Sequence, residues 1–333
     1  MKPLSTLIKG ARLIIERSFD VQGGDAVLII CDEDHEREAQ ALAGVAFSRG
    51  AYPVIADVSH HVSAALASME VPMEPSKTLS AAMKASDVII ITTNLEWANR
   101  FAHVNPVAES VALGAKIGSV EEGMAEWDLT AQDIDEIVGR ADRLIEAMQG
   151  CEWVRVTNPS GTDVKIYLKG RPPLRVVPIK AAGEMMGPVP LWGEVAYAAT
   201  EDRTEGVIVV DGIMLGVGVP GSLETPIRLE VEGGRAVRIT GGEEAERLRR
   251  VVEGSDENAN VVAEFAIGTS EKERFGSPSE KGMLGTVHFA LGDNAHCYPG
   301  GQSHSRLHLD GSVRNVTVEV DGRTVIQDGR IVV

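Results

Sequence analysis

The sequence predicts an α/β protein with an N-terminal βαβ parallel-sheet domain, residues 1–150, and a β-rich α+β metal-binding domain, residues 151–333. Up to residue 150, short apolar runs alternate with amphipathic stretches, as in parallel sheets whose two faces are covered by helices. Beyond it, alternating and β-branched segments are separated by Gly, Pro, Asn and Asp, which predicts antiparallel strands joined by tight turns. A chain of 333 residues also agrees with two domains, at about 150 residues per domain.

The first domain opens with a βαβ unit. The apolar run 26–31 predicts a strand, and the next stretch has acidic residues at its start and apolar residues at helical spacing up to Gly50. The apolar run 52–58 predicts the second strand. The same patterns predict two further strands and a long amphipathic helix that ends the domain, at 88–93, 114–120 and 130–149.

The loop after the first predicted strand excludes a common class of ligand. It reads Cys31-Asp32-Glu33-Asp34-His35 and contains neither GxGxxG nor GxxxxGK[ST]. A phosphate site needs small residues and free backbone N–H groups at a helix N-terminus, where three carboxylates would repel the anion. We therefore do not expect this domain to bind a nucleotide.

The second domain is predicted to be mainly antiparallel β-structure. Hairpin turns are predicted at residues 232–234 and 321–322, and one amphipathic helix, 243–254, interrupts the strands. The segments with strand-like patterns read WVRVTN, DVKIYL, EVAYAAT, GVIVVDGIML, IRLEVEGGRAVRITGG and VRNVTVEVDGRTVIQDGRIVV.

The charge balance excludes two classes of partner. The net charge is −17, from 32 Lys and Arg against 49 Asp and Glu. Such a field repels phosphate backbones and anionic lipid, so we expect no nucleic-acid and no membrane partner, and no apolar run approaches the ~20 residues that span a bilayer. The cysteines are odd in number and widely separated, at Cys31, Cys151 and Cys297, which favours a reducing compartment. The protein is therefore expected to be cytoplasmic.

Histidines concentrate near the C-terminus. Four of the eight, His288, His296, His304 and His308, fall within 21 residues. Imidazole supplies metal ligands or proton-transfer groups, because it is largely neutral near pH 7 and offers a lone pair. His308 and Asp310 are two positions apart in a strand-like segment, so their side chains would share a face. On its own, such an HxD pair also suits an ordinary surface strand.

Three polar residues interrupt apolar strand segments: His288 in GTVHFALG, Glu264 in VVAEFAIG and Glu194 in PLWGEVAYA. Burying an unpaired imidazole costs on the order of 1–3 kcal/mol, and a buried carboxylate must lose its charge or find a cation. Each glutamate alone could lie at an exposed strand position or in a salt bridge. Taken with the HxD pair, the three residues predict a nitrogen and oxygen site for one or two divalent cations.

In these segments the sequence resembles the metallo-aminopeptidases typified by aminopeptidase T and aminopeptidase S. The shared motifs are Gly-Glu-Val with a following Glu-Asp and Gly, E-x-x-I-G-T, an E-K segment leading to G-T-x-H-x-A-L-G, and H-x-D. They fall here at Gly193–Val195, Glu201-Asp202 with Gly206, Glu264–Thr269, Glu280-Lys281, Gly285–Gly292 and His308–Asp310.

This resemblance implies a metal-dependent hydrolase, an aminopeptidase that releases N-terminal amino acids from short peptides. Glu280 would carry a proton from a metal-activated water to the leaving amine, and Tyr298 would hydrogen-bond the oxyanion. The resemblance also implies a homodimer. It implies two divalent ions, Zn, Co or Mn, held by Glu194, Glu264, His288, His308 and Asp310.

A second resemblance leaves an alternative open. The Fe(II)-dependent 2,5-dihydroxypyridine 5,6-dioxygenases share this scaffold and end in H-L-D followed by R-N, as at residues 308–310 and 314–315. An enzyme with a two-histidine, one-carboxylate face has a histidine where this chain has Glu264. The carboxylate-rich set therefore favours hydrolysis as the first expectation, with iron-dependent ring cleavage of a dihydroxylated heteroaromatic as the alternative.

Overall fold

The computed structural model describes residues 4–67, 74–102, 104–217, 221–296 and 298–333. The side chains of Leu4, Leu66, Ala67, Glu96, Asn99 and Arg100 are not described. Contacts within the chain divide it into two units, Met1–Glu136 with Val177–Leu191 and Ile137–Val176 with Trp192–Val333. The domain boundary predicted after residue 150 stays a prediction.

The helices are α1 (Leu4–Arg12), α2 (Glu36–Ser48), α3 (Ser59–Ala67), α4 (Lys77–Lys84), α5 (Leu95–Phe101), α6 (Asn105–Ala112), α7 (Ala131–Ala147) and α8 (Glu243–Glu253). The strands of the first half are β1 (Ala26–Cys31), β2 (Tyr52–Asp57), β3 (Val88–Thr92), β4 (Lys116–Val120), β5 (Trp153–Thr157), β6 (Asp163–Tyr167), β7 (Leu174–Val176) and β8 (Gly187–Val189). Those that follow are β9 (Glu194–Ala198), β10 (Glu205–Val210), β11 (Ile227–Glu232), β12 (Arg235–Thr240), β13 (Val262–Gly268), β14 (Thr286–Gly292), β15 (His308–Arg314), β16 (Thr317–Val320), β17 (Arg323–Gln327) and β18 (Arg330–Ile331).

The first unit is built on a parallel sheet with the strand order β2-β1-β3-β4-β8. Successive residues of the interior strand β1 face opposite sides of the sheet. Val27 and Ile29 belong to an apolar cluster that includes residues of α2, whereas Leu28 and Ile30 belong to another that includes residues of α5. Both faces of the sheet are therefore covered, which confirms the parallel sheet predicted from uninterrupted apolar runs.

The second unit contains two antiparallel sheets, with the orders β12-β11-β10-β6-β5-β16-β17-β18 and β15-β14-β13-β9-β7. The predicted hairpins join β11 to β12 and β16 to β17, and the predicted helix over 243–254 is α8. We call the antiparallel sheet β15-β14-β13-β9-β7 the site sheet, because every residue predicted to bind metal lies on it. The α/β fold with a parallel sheet followed by β-rich structure is thus confirmed.

Two further expectations concern the cysteines and membrane-spanning helices. Cys31 and Cys151 are buried free thiols, and burial raises the pKa of each to about 11. Cys297 lies outside the described residues. Within the described part of the chain, no helix has both the length and the apolar character that crossing a membrane requires.

Candidate metal centre

The site sheet brings the predicted ligands onto one face. Its register pairs Glu264 with Ala290 and Ala290 with Asp310, so the two carboxylates lie in one row across three strands. Because side chains alternate between the faces of a strand, residues an even number of positions away share this face. The face carries five residues that we call the core cluster: Glu194, Glu264, His288, His308 and Asp310.

The surroundings of the core cluster differ sharply between the two faces. Phe265 and Phe289, on the opposite face, are buried in apolar packing. On the ligand face, the neighbouring positions are occupied by Ala196, Ala266 and Ala290, all fully buried. Single methyl groups leave the ligand side chains free to turn towards one another across the strands.

Backbone contacts fix the orientation of His288. Its Nδ1 lies 3.2 Å from Lys281 O, which can only accept, so Nδ1 carries the proton and donates. Nε2 of the neutral ring then presents its lone pair 3.2 Å from Glu264 Oε1 and 3.7 Å from Glu194 Oε2. A lone pair that faces carboxylate oxygens at this range needs a proton or a metal ion between them.

His308 repeats the arrangement on the other side of Glu264. Its Nδ1 donates to Asp293 O at 2.8 Å, so Nε2 of the neutral ring again faces acidic oxygens. Nε2 lies 3.1 Å from Glu264 Oε2 and 3.2 Å from Asp310 Oδ1. Glu264 is therefore placed between two imidazoles, with one oxygen directed at each.

The oxygens of the core cluster lack the partners that burial demands. Glu194 Oε2, both oxygens of Glu264 and Asp310 Oδ1 are buried and accept no hydrogen bond. Glu264, His308 and Asp310 each offer a ligand atom within 4.8 Å of the others. Buried carboxylate oxygens are costly unless a cation compensates them. The residues present therefore fit a divalent metal ion bound through nitrogen and oxygen.

Charge is unevenly distributed within the core cluster. Burial raises the pKa of Glu194 to about 7. Burial also acts on Glu264, but the charge of His288 opposes it and helps to lower the pKa of Glu264 to about 2. Burial lowers the pKa of both histidines less than the adjacent carboxylates raise it, so the pKa of His288 is raised and that of His308 lies well above its usual value. Protons thus bind at the imidazole nitrogens that a metal ion would use.

Lys281 places an ammonium group beside the core cluster, a role that its sequence position does not predict. Its Nζ donates to Asp310 Oδ2 and lies 5.3 Å from the centre of the Trp192 ring. Burial lowers the pKa of Lys281, but the charge of Asp310 is among the influences that leave it raised, so the ammonium stays charged. With neutral imidazoles and ionised acids, three carboxylates and one ammonium leave two negative charges, which a single divalent ion neutralises.

Glu280, predicted to be catalytic, has its contacts outside the core cluster. It is fully buried, and its Oε1 accepts hydrogen bonds from Ser312 Oγ and Arg314 Nε, both at 2.8 Å. Its Oε2 accepts from Arg314 Nη2 and Gly276 N, both at 2.6 Å. Gly212 makes room for this carboxylate, since a Cβ there would lie 2.1 Å from Glu280 Oε1. Both oxygens already have donors, as in a structural ion pair.

Tyr298, the other residue predicted to be catalytic, reaches the core cluster through His308. The two rings stack with their centres 5.5 Å apart and an interplanar angle of 19°. The Tyr298 hydroxyl lies 3.3 Å from His308 Nε2, the atom that faces Glu264 and Asp310. The structure therefore brings Tyr298 next to the candidate ligands.

Known proteins share this fold. The chain is similar to the structure of 2,5-dihydroxypyridine dioxygenase from Pseudomonas putida KT2440, with 21% identity, a TM-score of 0.80, and coverage of 100% of this chain and 98% of that chain. It is also similar to wild-type AmpT from Thermus thermophilus, with 17% identity, a TM-score of 0.68 and coverage of 99% of both chains. At these identities the likeness shows a shared fold. No curated protein matches the chain.

The family comparison corrects the first functional expectation. The model of the 2,5-dihydroxypyridine 5,6-dioxygenase family, NicX, matches residues 15–333. The expectation of an aminopeptidase, and with it of a hydrolase, is therefore wrong, and AmpT is the structure with the lower TM-score of the two. The match favours the alternative that the H-L-D and R-N motifs left open. The chain belongs to the 2,5-dihydroxypyridine 5,6-dioxygenase family.

Proposed function

We propose that the protein is an Fe(II)-dependent dioxygenase that opens the ring of a dihydroxylated pyridine. The observation that carries the proposal is the core cluster, in which imidazole lone pairs and unpartnered carboxylate oxygens converge on one face of the site sheet. Membership of the family supports the reaction class. The substrate would be a small molecule, and each chain would bind one iron ion.

Glu264, His308 and Asp310 would hold the iron, since one ligand atom from each lies within 4.8 Å of the others. Three protein ligands on one side leave other positions open, and the bound Fe(II) would supply the redox chemistry by which oxygen and a chelating substrate react. A carboxylate, Glu264, stands where a two-histidine face would have an imidazole. His288 places a second imidazole beside it, with Nε2 3.2 Å from Glu264 Oε1.

The remaining residues of the site would handle charge and protons. A ring hydroxyl loses its proton more readily when its oxygen engages a cation, and the resulting anion would be favoured by the Lys281 ammonium near Asp310. Glu194 Oε2, which accepts no hydrogen bond, is the acceptor that we assign to that proton. Ala266 and Ala290 present only methyl groups on this face, so a flat ring can approach the ligands.

The test is oxygen consumption by iron-loaded protein. Protein purified without oxygen and loaded with Fe(II) is given 2,5-dihydroxypyridine in an oxygen electrode. We expect one O₂ consumed for each ring opened, and with ¹⁸O₂ both labelled atoms in the product. Zinc-loaded protein and an Asp310→Asn variant serve as controls and should consume none. Amine release from aminoacyl anilides without oxygen uptake would contradict the proposal. The absence of oxygen uptake with every member of a panel of dihydroxylated pyridines would contradict it too.

A Tyr298→Phe variant is expected to lower kcat/KM by roughly 10-fold to 100-fold, the usual effect of losing a group that supports a metal ligand. The phenyl ring keeps the stacking on His308, whereas the hydroxyl 3.3 Å from His308 Nε2 is lost. Steady-state kinetics with Fe(II)-loaded protein measure the change. Tyr167→Phe, on β6, is the matched control and should retain full activity. An unchanged kcat/KM for Tyr298→Phe would show that the Tyr298 hydroxyl has no role in the reaction.

A further inference from the structure

We propose that Asp293, His296 and His304 form a second cation site, suited to Zn²⁺, which fixes the loop that carries Tyr298. We call these three residues the loop cluster. One ligand atom from each lies within 4.8 Å of the others. The loop cluster shares no side chain with the core cluster, so the proposal depends on its own geometry and not on the proposed function.

The backbone holds the two histidines near each other. Asn294 N and Ala295 N donate to Ser303 O at 3.0 Å and 3.1 Å, which closes the loop immediately before each histidine. The fully buried Asn294 side chain donates to Ala263 O at 2.9 Å and accepts from Ser303 N at 2.8 Å. The loop is thereby attached to β13 of the site sheet, and its geometry is fixed by contacts that no metal ion supplies.

Asp293 provides the buried anionic end of the loop cluster. Its side chain is 12% exposed, and its Oδ1 contacts His296 Nδ1 at 2.8 Å and Ser305 N at 3.2 Å. Its Oδ2 accepts from His296 N at 3.2 Å. These contacts aim the carboxylate at the ring of His296, whose side chain is 61% exposed. A buried carboxylate beside accessible imidazoles combines charge with open positions for water.

The ligand types and spacing suit zinc. Two imidazoles and a carboxylate are common zinc ligands, with metal–ligand distances of about 2.0–2.2 Å, which place ligand atoms roughly 3.3–3.6 Å apart in a tetrahedron. All separations in the loop cluster are within 4.8 Å, so the widest needs to contract by no more than about 1.5 Å. The contact between His296 Nδ1 and Asp293 Oδ1, at 2.8 Å, would widen by roughly 0.5 Å. The rings of His296 and His304 are 5.7 Å apart and their residues are exposed, so rotation of two side chains suffices.

Asp293 also connects the loop cluster to the core cluster. Its backbone oxygen accepts the hydrogen bond from His308 Nδ1 at 2.8 Å, while its carboxylate contacts His296. Tyr298 lies in the same loop and stacks on His308. An ion held by the loop cluster therefore restrains two groups that orient His308.

The experiment measures zinc stoichiometry in chains whose core cluster is blocked by His308→Gln and Asp310→Asn. After dialysis against Zn²⁺, elemental analysis should find one zinc per chain. Adding His296→Gln and His304→Gln should remove it, whereas His60→Gln, at an exposed histidine of α3, should not. X-ray absorption of the bound zinc should show two imidazole ligands.

A second comparison keeps the core cluster intact, so that the result does not depend on folding of the blocked chain. Here the His296→Gln, His304→Gln double variant should bind one zinc fewer than the wild type. Equal stoichiometry in these two proteins, or a folded blocked chain that binds no zinc, would overturn the proposal. Neither measurement uses ring cleavage, so failure of the proposed function leaves this result unaffected, and the reverse holds too.

Discussion

A His308→Ala variant should lose iron and ring-cleaving activity together. The substitution removes the imidazole whose Nε2 lies 3.1 Å from Glu264 Oε2 and 3.2 Å from Asp310 Oδ1. Loss of a ligand should weaken iron binding by more than about 100-fold, the upper end of what loss of a supporting partner costs. Iron content after anaerobic gel filtration and oxygen uptake are the measurements. Retention of iron at wild-type stoichiometry would contradict the assignment of His308 as a ligand.

Thermal unfolding provides a second readout for the same variant. A metal ion that binds only the folded chain stabilises it by about 2.7 kcal/mol at a free concentration of 100 times Kd. Adding Mn²⁺, a redox-stable substitute for Fe(II), should therefore raise the Tm of the wild type and leave that of His308→Ala unchanged. His60→Ala, an exposed substitution on α3, is the matched control and should respond like the wild type.

A Glu280→Ala variant is expected to lose about 3–5 kcal/mol of unfolding free energy, as when one partner of a buried ion pair is removed. The substitution removes the acceptor of Arg314 Nε, Ser312 Oγ and Gly276 N and leaves Arg314 Nη2 with Ser222 Oγ alone. Urea unfolding measures the change. Glu319→Ala removes a carboxylate that lies 3.8 Å from Arg155 Nη1 at the surface, and this control should cost less than about 1 kcal/mol.

The same variant decides between two roles for Glu280. If its carboxylate only supports the structure, chains of Glu280→Ala that remain folded should bind iron with wild-type stoichiometry. Full stability combined with loss of turnover would instead support the catalytic role predicted from the sequence.

The grouping of the candidate ligands could be predicted because its signal is local. A lone carboxylate such as Glu264, in an otherwise apolar strand segment, is costly to bury without a cation, and the two-residue period of a strand places His308 and Asp310 on one face. Those arguments need only a few neighbouring residues. The structure places all five predicted ligands on the site sheet for that reason.

The surroundings of the ligands could not be predicted, because they depend on residues far apart in the chain. Glu280 meets Arg314 34 positions later, and no spacing rule for a strand or helix connects the two. Lys281 reaches Asp310 29 positions later, through the turn that also carries Glu280. The same limit applies to β8, whose Gly-Pro-Val sequence does not resemble a strand but pairs with β4 in the parallel sheet.

The reaction class was missed for a different reason. The motifs around Glu194, Glu264 and His288 indicate groups that could bind a metal ion, and such groups suit both hydrolysis and oxygenation. The H-L-D and R-N motifs pointed to the alternative, but the carboxylate at position 264 favoured hydrolysis. Motifs of single residues could not outweigh a match that extends over residues 15–333.

The row of Glu264, Ala290 and Asp310 has a consequence for how quickly the protein can take up metal. These residues are fixed by the hydrogen-bond ladder of three adjacent strands, so their backbone entropy is already lost when the sheet forms. Binding then needs only the release of protons from the imidazoles and the shedding of water by the ion. Metal association with the folded chain should accordingly be limited by the ion's own dehydration, and a fast-exchanging ion such as Mn²⁺ should enter faster than Ni²⁺.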